Sequence, residues 1–269
     1  MTALWKRLLL GAVLLGSGTY AAGLGYVYAR QERLLFHPDA LPADHAFKRD
    51  ADVHEVSVAV PGATLSALHL QLPAPKGVVF FLHGNGGNLE SWFVNVDFYR
   101  RANVDLFMID YRGYGKSSGR IEGEAQLRAD VRAAWDSIAA RYRGLPRVVY
   151  GRSLGSGLAA GLAAQVAPEL TILVSPYCSM ETLAKEHFPL VPAALLRYPL
   201  RTCDDAARIH GPMLLVHGDR DTLVPPHHSA DILAVAPQAH LLRIAEAGHG
   251  DVQQFEVYRQ ALRDALAAL

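Results

Sequence analysis

The stretch VVYGRSLGSG, Val148 to Gly157, passes from a β-branched and aromatic run straight into a serine set between glycines, and small residues follow. Gly151-Arg152-Ser153-Leu154-Gly155 is a G-x-S-x-G element in the context that motif requires, a strand-like run before it and helix-forming alanines after. A nucleophile exposed on a sharp strand-to-helix turn needs neighbours without bulk, so that strand and helix can approach. The same five residues also fit a plainer description, a serine capping a helix beside a tight turn. The rest of the chain decides between them.

Working outward, continuous apolar runs recur at GVVFFLHG (Gly77–Gly84), VDLFMID (Val104–Asp110), RVVYG (Arg147–Gly151), LTILVSP (Leu170–Pro176), PMLLVHG (Pro212–Gly218) and HLLRI (His240–Ile244). Runs of this kind are those of parallel strands covered on both faces. Amphipathic stretches of helical length lie between them, at 89–101, 123–143, 154–166 and 229–236, and QQFEVYRQALRDALAAL closes the chain. Ahead of them VHEVSVAV (Val53–Val60) and LSALHLQL (Leu65–Leu72) alternate around PGAT, an opening antiparallel hairpin. The pattern predicts an α/β fold, a mostly parallel central sheet of about eight strands with helices on both faces. Ligands collect at the carboxyl ends of such strands. One segment, about 176–210, carries Pro189, Pro192 and Pro199 and is too long for a simple crossover, and it reads as a small helical cap.

Those carboxyl ends supply company for the serine. A serine hydroxyl needs a base to become nucleophilic, and the base needs a carboxylate to orient it. GDRDTLVP places Asp219 and Asp221 in the turn after one run, and AEAGHGD places His249 in the loop after the last. Each alone has a bland explanation, a turn-capping Asp or a solvated loop His. Together, in the order serine, aspartate, histidine on a parallel sheet, they match the α/β-hydrolase order. HGNGGN, His83 to Asn88, follows the first parallel run, and its glycines allow backbone N–H groups to turn inward. The amides of Asn85 and Leu154 are the candidate oxyanion donors. No G-K-[ST] follows to make a P-loop, and G-x-G-x-x-G is not matched.

FFLHGNGGN, FMIDYRGYGKSSG, GRSLGSG, VHGDRDTLVP and AGHGD together resemble the α/β-hydrolase superfamily. They are most similar to its membrane-associated BEM46-like and α/β-hydrolase-domain 13/17-like serine hydrolases, and the likeness runs from about Leu34 to the C-terminus. In that family the acid lies in G-x-x-D-x-x-V-P, which the run from Gly218 to Pro225 fits, and this selects Asp221 over Asp219. The resemblance also implies that Asp110–Gly115 shapes a loop beside the pocket. The least family-like part is the region between Cys178 and Cys203, where substrate choice would be set.

Formal net charge is zero, so no basic field exists to hold a polyanion, and nucleic acid is not an expected partner. None of the twelve histidines pairs at metal-ligand spacing on a helix, and His227 and His228 read as solvent-facing, so no metal is expected. Cys178 and Cys203 are the only cysteines; a bridge, available to them if the domain lies outside the cytoplasm, and two separate thiols both stay open.

The first thirty residues differ from the rest. Leu8 to Ala29 are 22 residues without a charge, between Lys6 and Arg7 on one side and Arg30 and Arg33 on the other. At about 1.5 Å per residue they just span a hydrocarbon core of roughly 30 Å. Tyr20, Tyr26 and Tyr28 suit an interface. A cleaved signal peptide has a shorter apolar region and an A-x-A-like site that TYAAG matches poorly. A soluble helix would be weakened by Gly11, Gly16, Gly18, Gly23 and Gly25. The expected organisation is a membrane anchor over 1–30, an irregular linker over 31–50 and a hydrolase domain over 51–269. Lys6 and Arg7 favour a cytoplasmic N-terminus and an extracytoplasmic domain, while Arg30 and Arg33 argue the other way.

The functional expectation is a serine hydrolase cleaving acyl esters or thioesters through an acyl-enzyme, with Ser153 as nucleophile, His249 as base and Asp221 as acid, and no cofactor. A serine nucleophile disfavours dehalogenase and epoxide-hydrolase chemistry. The anchor and the apolar cap residues Phe188, Leu190, Val191, Leu195 and Leu196 hint at a small-molecule or lipid acyl substrate. Two alternatives stay open: a serine peptidase or aminopeptidase of the same fold, and a membrane-tethered binding protein without turnover.

Overall fold

The structure, a computed structural model, describes residues 2–269. Helix α1 (Thr2–Ala29) leaves Leu4 through Leu15 exposed and is long and apolar enough to cross a membrane. Helix α2 (Gln31–Leu35) follows at once. Strands β1 (Val53–Val60) and β2 (Ala63–Leu70) form the expected hairpin, closed by Pro61 and by Gly62 at φ 76°. Next come β3 (Val78–Leu82), α3 (Leu89–Trp92), α4 (Val96–Ala102), β4 (Asp105–Ile109) and α5 (Glu124–Ala139). Strand β5 (Arg147–Arg152) leads into α6 (Leu154–Val166), and β6 (Leu170–Val174) leads into the cap. The cap holds α7 (Met180–His187), a 3₁₀ turn at Ala193–Leu195 and α8 (Thr202–Ala206). Strand β7 (Met213–Gly218), α9 (His227–Val235), β8 (Ala239–Ile244) and α10 (Glu256–Ala267) complete the chain.

The eight strands make one sheet in the order β1-β2-β4-β3-β5-β6-β7-β8. Only β1–β2 and β2–β4 pair antiparallel, and β3 onward is parallel throughout. Every residue of β3, β4, β6 and β7 is buried, the physical reason these strands read as unbroken apolar runs. On one face Phe80 and Phe107 pack with Trp135 of α5 and with α6, α8 and α9; on the other Phe81 and Tyr150 pack with Tyr99 of α4 and Tyr258 of α10. The chain reverses direction across the sheet between β4–β3 and β5, so the loops after β3 and β5 lie side by side. That is the switch point where open parallel sheets bind ligands.

Two expectations need correcting. The helix expected over 89–101 is two helices, because Asn95 adopts a left-handed φ of 58° that an Asn tolerates and a helix does not. The stretch 31–50 is not a free tether. Phe36 and Phe47 are buried, and Pro38 and Ala40 bridge to Gly87 and Gly115. Cys178 and Cys203 are bonded, with Cα atoms 4.9 Å apart, and tie the start of the cap to its end.

Candidate active site

Strand β5 ends at Arg152, and Ser153 turns the chain into α6 with φ 51° and ψ −120°, a conformation costing about 1–3 kcal/mol in a non-glycine residue. The turn is held by the Ser153 N–H, which donates to the Val174 carbonyl at 2.9 Å. Its glycines are required by contact. A Cβ on Gly155 would lie 2.1 Å from the Leu82 carbonyl oxygen, and one on Gly151 would lie 2.4 Å from that of Gly155. The strain sets the hydroxyl out over the sheet.

That hydroxyl donates to Nε2 of His249 at 2.9 Å, and Nδ1 of His249 donates to Oδ2 of Asp221 at 2.7 Å. Asp221 stands in the turn after β7 and His249 in the loop after β8, both at carboxyl ends. The other oxygen of Asp221 accepts the N–H groups of Leu223 at 3.0 Å and Val224 at 2.8 Å. Burial opposes its charge, yet the contacts from His217, His249 and the Val224 N–H outweigh burial and hold the carboxyl well below its ordinary range. Asp219 points elsewhere and pairs with Arg243 on the surface.

Asn85 and Ser153 line one cleft of about 1280 Å³, together with Trp92, Arg152 and His249. The Asn85 side chain is fixed. Its amide donates to the Leu35 carbonyl, and its oxygen accepts from the His37 N–H at 3.0 Å and from the Tyr114 hydroxyl at 2.9 Å. The N–H of Leu154 opens α6, where no preceding turn supplies an acceptor. Arg152 lays its guanidinium over Trp92, 5.5 Å from the ring centre, and donates to the His249 carbonyl at 3.2 Å. In the Asp110–Gly115 loop, Asp110 accepts the Leu89 N–H at 3.1 Å and the Tyr111 hydroxyl donates to the His83 carbonyl at 2.8 Å, so the loop braces the segment that carries Asn85.

The cap's apolar residues are not in this cleft. Its apolar wall comes from Trp92, Phe93, Val94, Val96 and Phe98, between β3 and β4, while Phe188 and Leu190 lie exposed elsewhere. Sequence reading also missed His217, the histidine of the strand-ending VHG, which is buried with Nε2 3.4 Å from Asp221. His228 is buried too, contrary to the solvent-facing expectation, while His227 is exposed. Both face Glu186 of α7, and the three ligand atoms lie within 4.8 Å of one another. The Nδ1 of His228 accepts the Cys178 N–H at 3.2 Å, so its neutral ring carries the proton on Nε2, the atom an ion would need bare.

The strand order, the strained serine between glycines and the histidine and carboxylate at later strand ends define the α/β-hydrolase class. The family model described as serine aminopeptidase, S33, of the Hydrolase_4 family, matches residues 73–204. Alpha/beta hydrolase domain-containing protein 17B of Xenopus laevis is 30% identical over 201 residues, 72% of this chain and 68% of that protein. The human 17B protein is 30% identical over 197 residues, covering 71% and 66%. Among solved structures, the Pyrococcus furiosus esterase Pf2001 superimposes with a TM-score of 0.67 at 17% identity, over 87% of this chain and 96% of that one. The chain belongs to the α/β-hydrolase superfamily, close to the domain-containing protein 17 branch, and is a hydrolase.

Proposed function

We propose that the chain is a serine hydrolase that transfers the acyl group of an ester or thioester to water. The observation carrying this reading is the unbroken hydrogen-bond path from Ser153 through His249 to Asp221. Ser153 attacks the acyl carbonyl carbon as its proton passes to Nε2 of His249. The ionised Asp221 holds the ring with Nδ1 protonated and stabilises the imidazolium. The carbonyl oxygen, now negative, takes hydrogen bonds from the Asn85 and Leu154 amides, each such donor being worth about 10²–10³ in rate. His249 returns the proton to the departing alcohol or thiol. Water then repeats the sequence on the acyl-serine and frees the acid.

A second reading rests on a specific observation, the match to a serine aminopeptidase family model, and differs only in the leaving group, an amine. We place the domain on α1 as a membrane anchor and outside the cytoplasm, where the Cys178–Cys203 bond is stable. The test is Ser153→Ala: labelling by a fluorophosphonate and hydrolysis of a p-nitrophenyl ester should vanish with the fold retained. Undiminished labelling refutes the nucleophile, and faster turnover of aminoacyl amides than of esters moves the chain to the second reading.

A further inference from the structure

The cap runs beside the N-terminal helices and not over the cleft. The Tyr20 hydroxyl of α1 donates to the Leu190 carbonyl at 2.7 Å, and the Arg197 guanidinium lies over the Tyr28 ring at 5.9 Å. Gln31 donates to the Leu195 carbonyl at 2.7 Å and accepts from the Arg197 N–H at 2.7 Å. Glu32 pairs with Arg197 at 2.6 Å and accepts from the Tyr198 hydroxyl at 2.8 Å. From Tyr20 onward α1 is therefore flanked by cap residues 190–198.

This attachment conflicts with a membrane surface placed below the cap. From Leu8 to Tyr20, the uncharged part of α1 that projects freely, the helix rises only about 20 Å, short of a hydrocarbon core of roughly 30 Å. The full uncharged length to Ala29 rises about 33 Å and suffices. If α1 spans, the bilayer extends past Tyr20 and takes in what lies beside it.

What lies beside it suits that surrounding. Phe188 to Leu196, FPLVPAALL, carries no charge, with Phe188 64% and Leu190 76% exposed. A backbone in hydrocarbon must satisfy itself. Pro189 and Pro192 have no N–H, and of the seven remaining N–H groups those of Phe188, Val191, Leu195 and Leu196 donate to the carbonyls of Ala184, Phe188, Pro192 and Ala193. Those of Leu190, Ala193 and Ala194 have no partner among the described residues, which sets the segment at the depth where headgroups and interfacial water still reach it. Charge returns abruptly where the apolar length ends. Arg30, Arg33, Arg112, Arg120 and Arg197 line one hollow with Glu32 and Glu122. Arg112 is paired with Asp130, Arg120 with Glu122 and Arg197 with Glu32. This leaves Arg30 and Arg33, just past the end of the uncharged run, without an ion pair among the described residues and able to meet lipid phosphates.

We infer that Phe188–Leu196 is embedded in one leaflet of a lipid bilayer beside the second half of α1, with the arginine hollow at the headgroup level. The inference rests on α1 being retained as a membrane helix and is independent of the chemistry at Ser153.

The experiment uses the full chain in vesicles of equimolar phosphatidylcholine and phosphatidylglycerol. Leu190→Cys and Ala194→Cys, both at exposed positions, are spin-labelled after the Cys178–Cys203 bond has formed, with Lys185→Cys as the aqueous reference. Retained p-nitrophenyl ester hydrolysis verifies folding in the active background, and circular dichroism does so in a Ser153→Ala background. The ratio of collisions with oxygen to collisions with a water-soluble nickel complex should be several-fold higher at 190 and 194 than at 185. A ratio at 190 and 194 equal to that at 185 overturns the inference. So does shielding from both reagents, the mark of a second protein copy covering the patch, or removal of α1 by processing. The same depth profile is expected in the Ser153→Ala background, so failure of the hydrolase reading would leave this result standing.

Discussion

His217 sets Nε2 3.4 Å from Oδ2 of Asp221, the same carboxylate oxygen that His249 engages. The ring is pinned from both sides: Nε2 donates to the Val224 carbonyl at 2.8 Å, and Nδ1 accepts from the Ser229 hydroxyl at 2.6 Å. Asp221 is thus held in a buried nest of donors, and Asp219 has none of this. Asp221→Asn should lower turnover by about 10⁴-fold, the loss seen when a triad acid is neutralised. Asp219→Asn, at an exposed pair with Arg243, should change it little. Steady-state kinetics on one ester compares the two, and the reverse ranking would move the acid.

Acid should destabilise the fold through His69. Burial first, then the Arg141 charge, drives its ring down to about 3, and it sits neutral between the Tyr142 hydroxyl and Gln71. The folded value lies below the unfolded value of about 6.5, so the unfolded chain takes up the proton first. Stability is fully present above that value and is lost as pH falls toward the folded one, by up to about 1.4 kcal/mol per pH unit. Asp221, with its pKa lowered, contributes stability above an unfolded value of about 3.9 and loses it only below, outside the window where His69 acts. Urea unfolding followed from neutral pH down to about 4.5 should show a shallower decline for His69→Asn than for the unmodified chain.

Reducing the Cys178–Cys203 bond should cost about 3 kcal/mol, since it closes a loop of 25 residues. Thermal melts with and without a thiol reductant measure this. A Cys203→Ser chain that shows the same shift on adding reductant would assign the effect to something other than the bridge.

Two glycines close to the site should behave oppositely. A Cβ on Gly155 meets the backbone carbonyls of Leu82 and His83 at 2.1 and 2.6 Å, and neither can retreat without moving β3. Gly155→Ala should therefore fold poorly or not at all. Gly250, next to His249, has open space around it, and Gly250→Ala should keep both its melting temperature and its activity. Comparing yield, melting temperature and ester hydrolysis of the two chains separates steric need from mere nearness to the site.

The sheet was legible because its strands bury both faces, so Val78–Leu82 and Met213–Gly218 announce themselves as unbroken apolar runs. The same sheet logic puts Ser153, Asp221 and His249 at strand ends, where motif and order single them out. What eluded sequence reading depends on contacts between distant segments. Nothing local marks His217 as a neighbour of Asp221, since a histidine ending an apolar strand looks the same whatever it touches. Nothing in HHSAD separates a buried His228 from an exposed His227 until Cys178 of the cap arrives beside one of them. The direction of the cap was equally hidden, because Phe188 and Leu190 are apolar whether they line a pocket or face outward.

The segment between α2 and β1 carries a practical lesson. Asn85 is clasped by Leu35 and His37, Asp39 donates to the Gly87 carbonyl and accepts from Asn88, and Leu41 and Gly115 bond across the gap. This strip works as a splint against the loop that would receive the oxyanion. A soluble derivative made by trimming the N-terminus should accordingly start near Gln31. One starting at residue 51 would keep Ser153, Asp221 and His249 and yet lose the outer brace of the cleft, a hydrolase complete by inventory and slack where the proposed reaction needs it rigid.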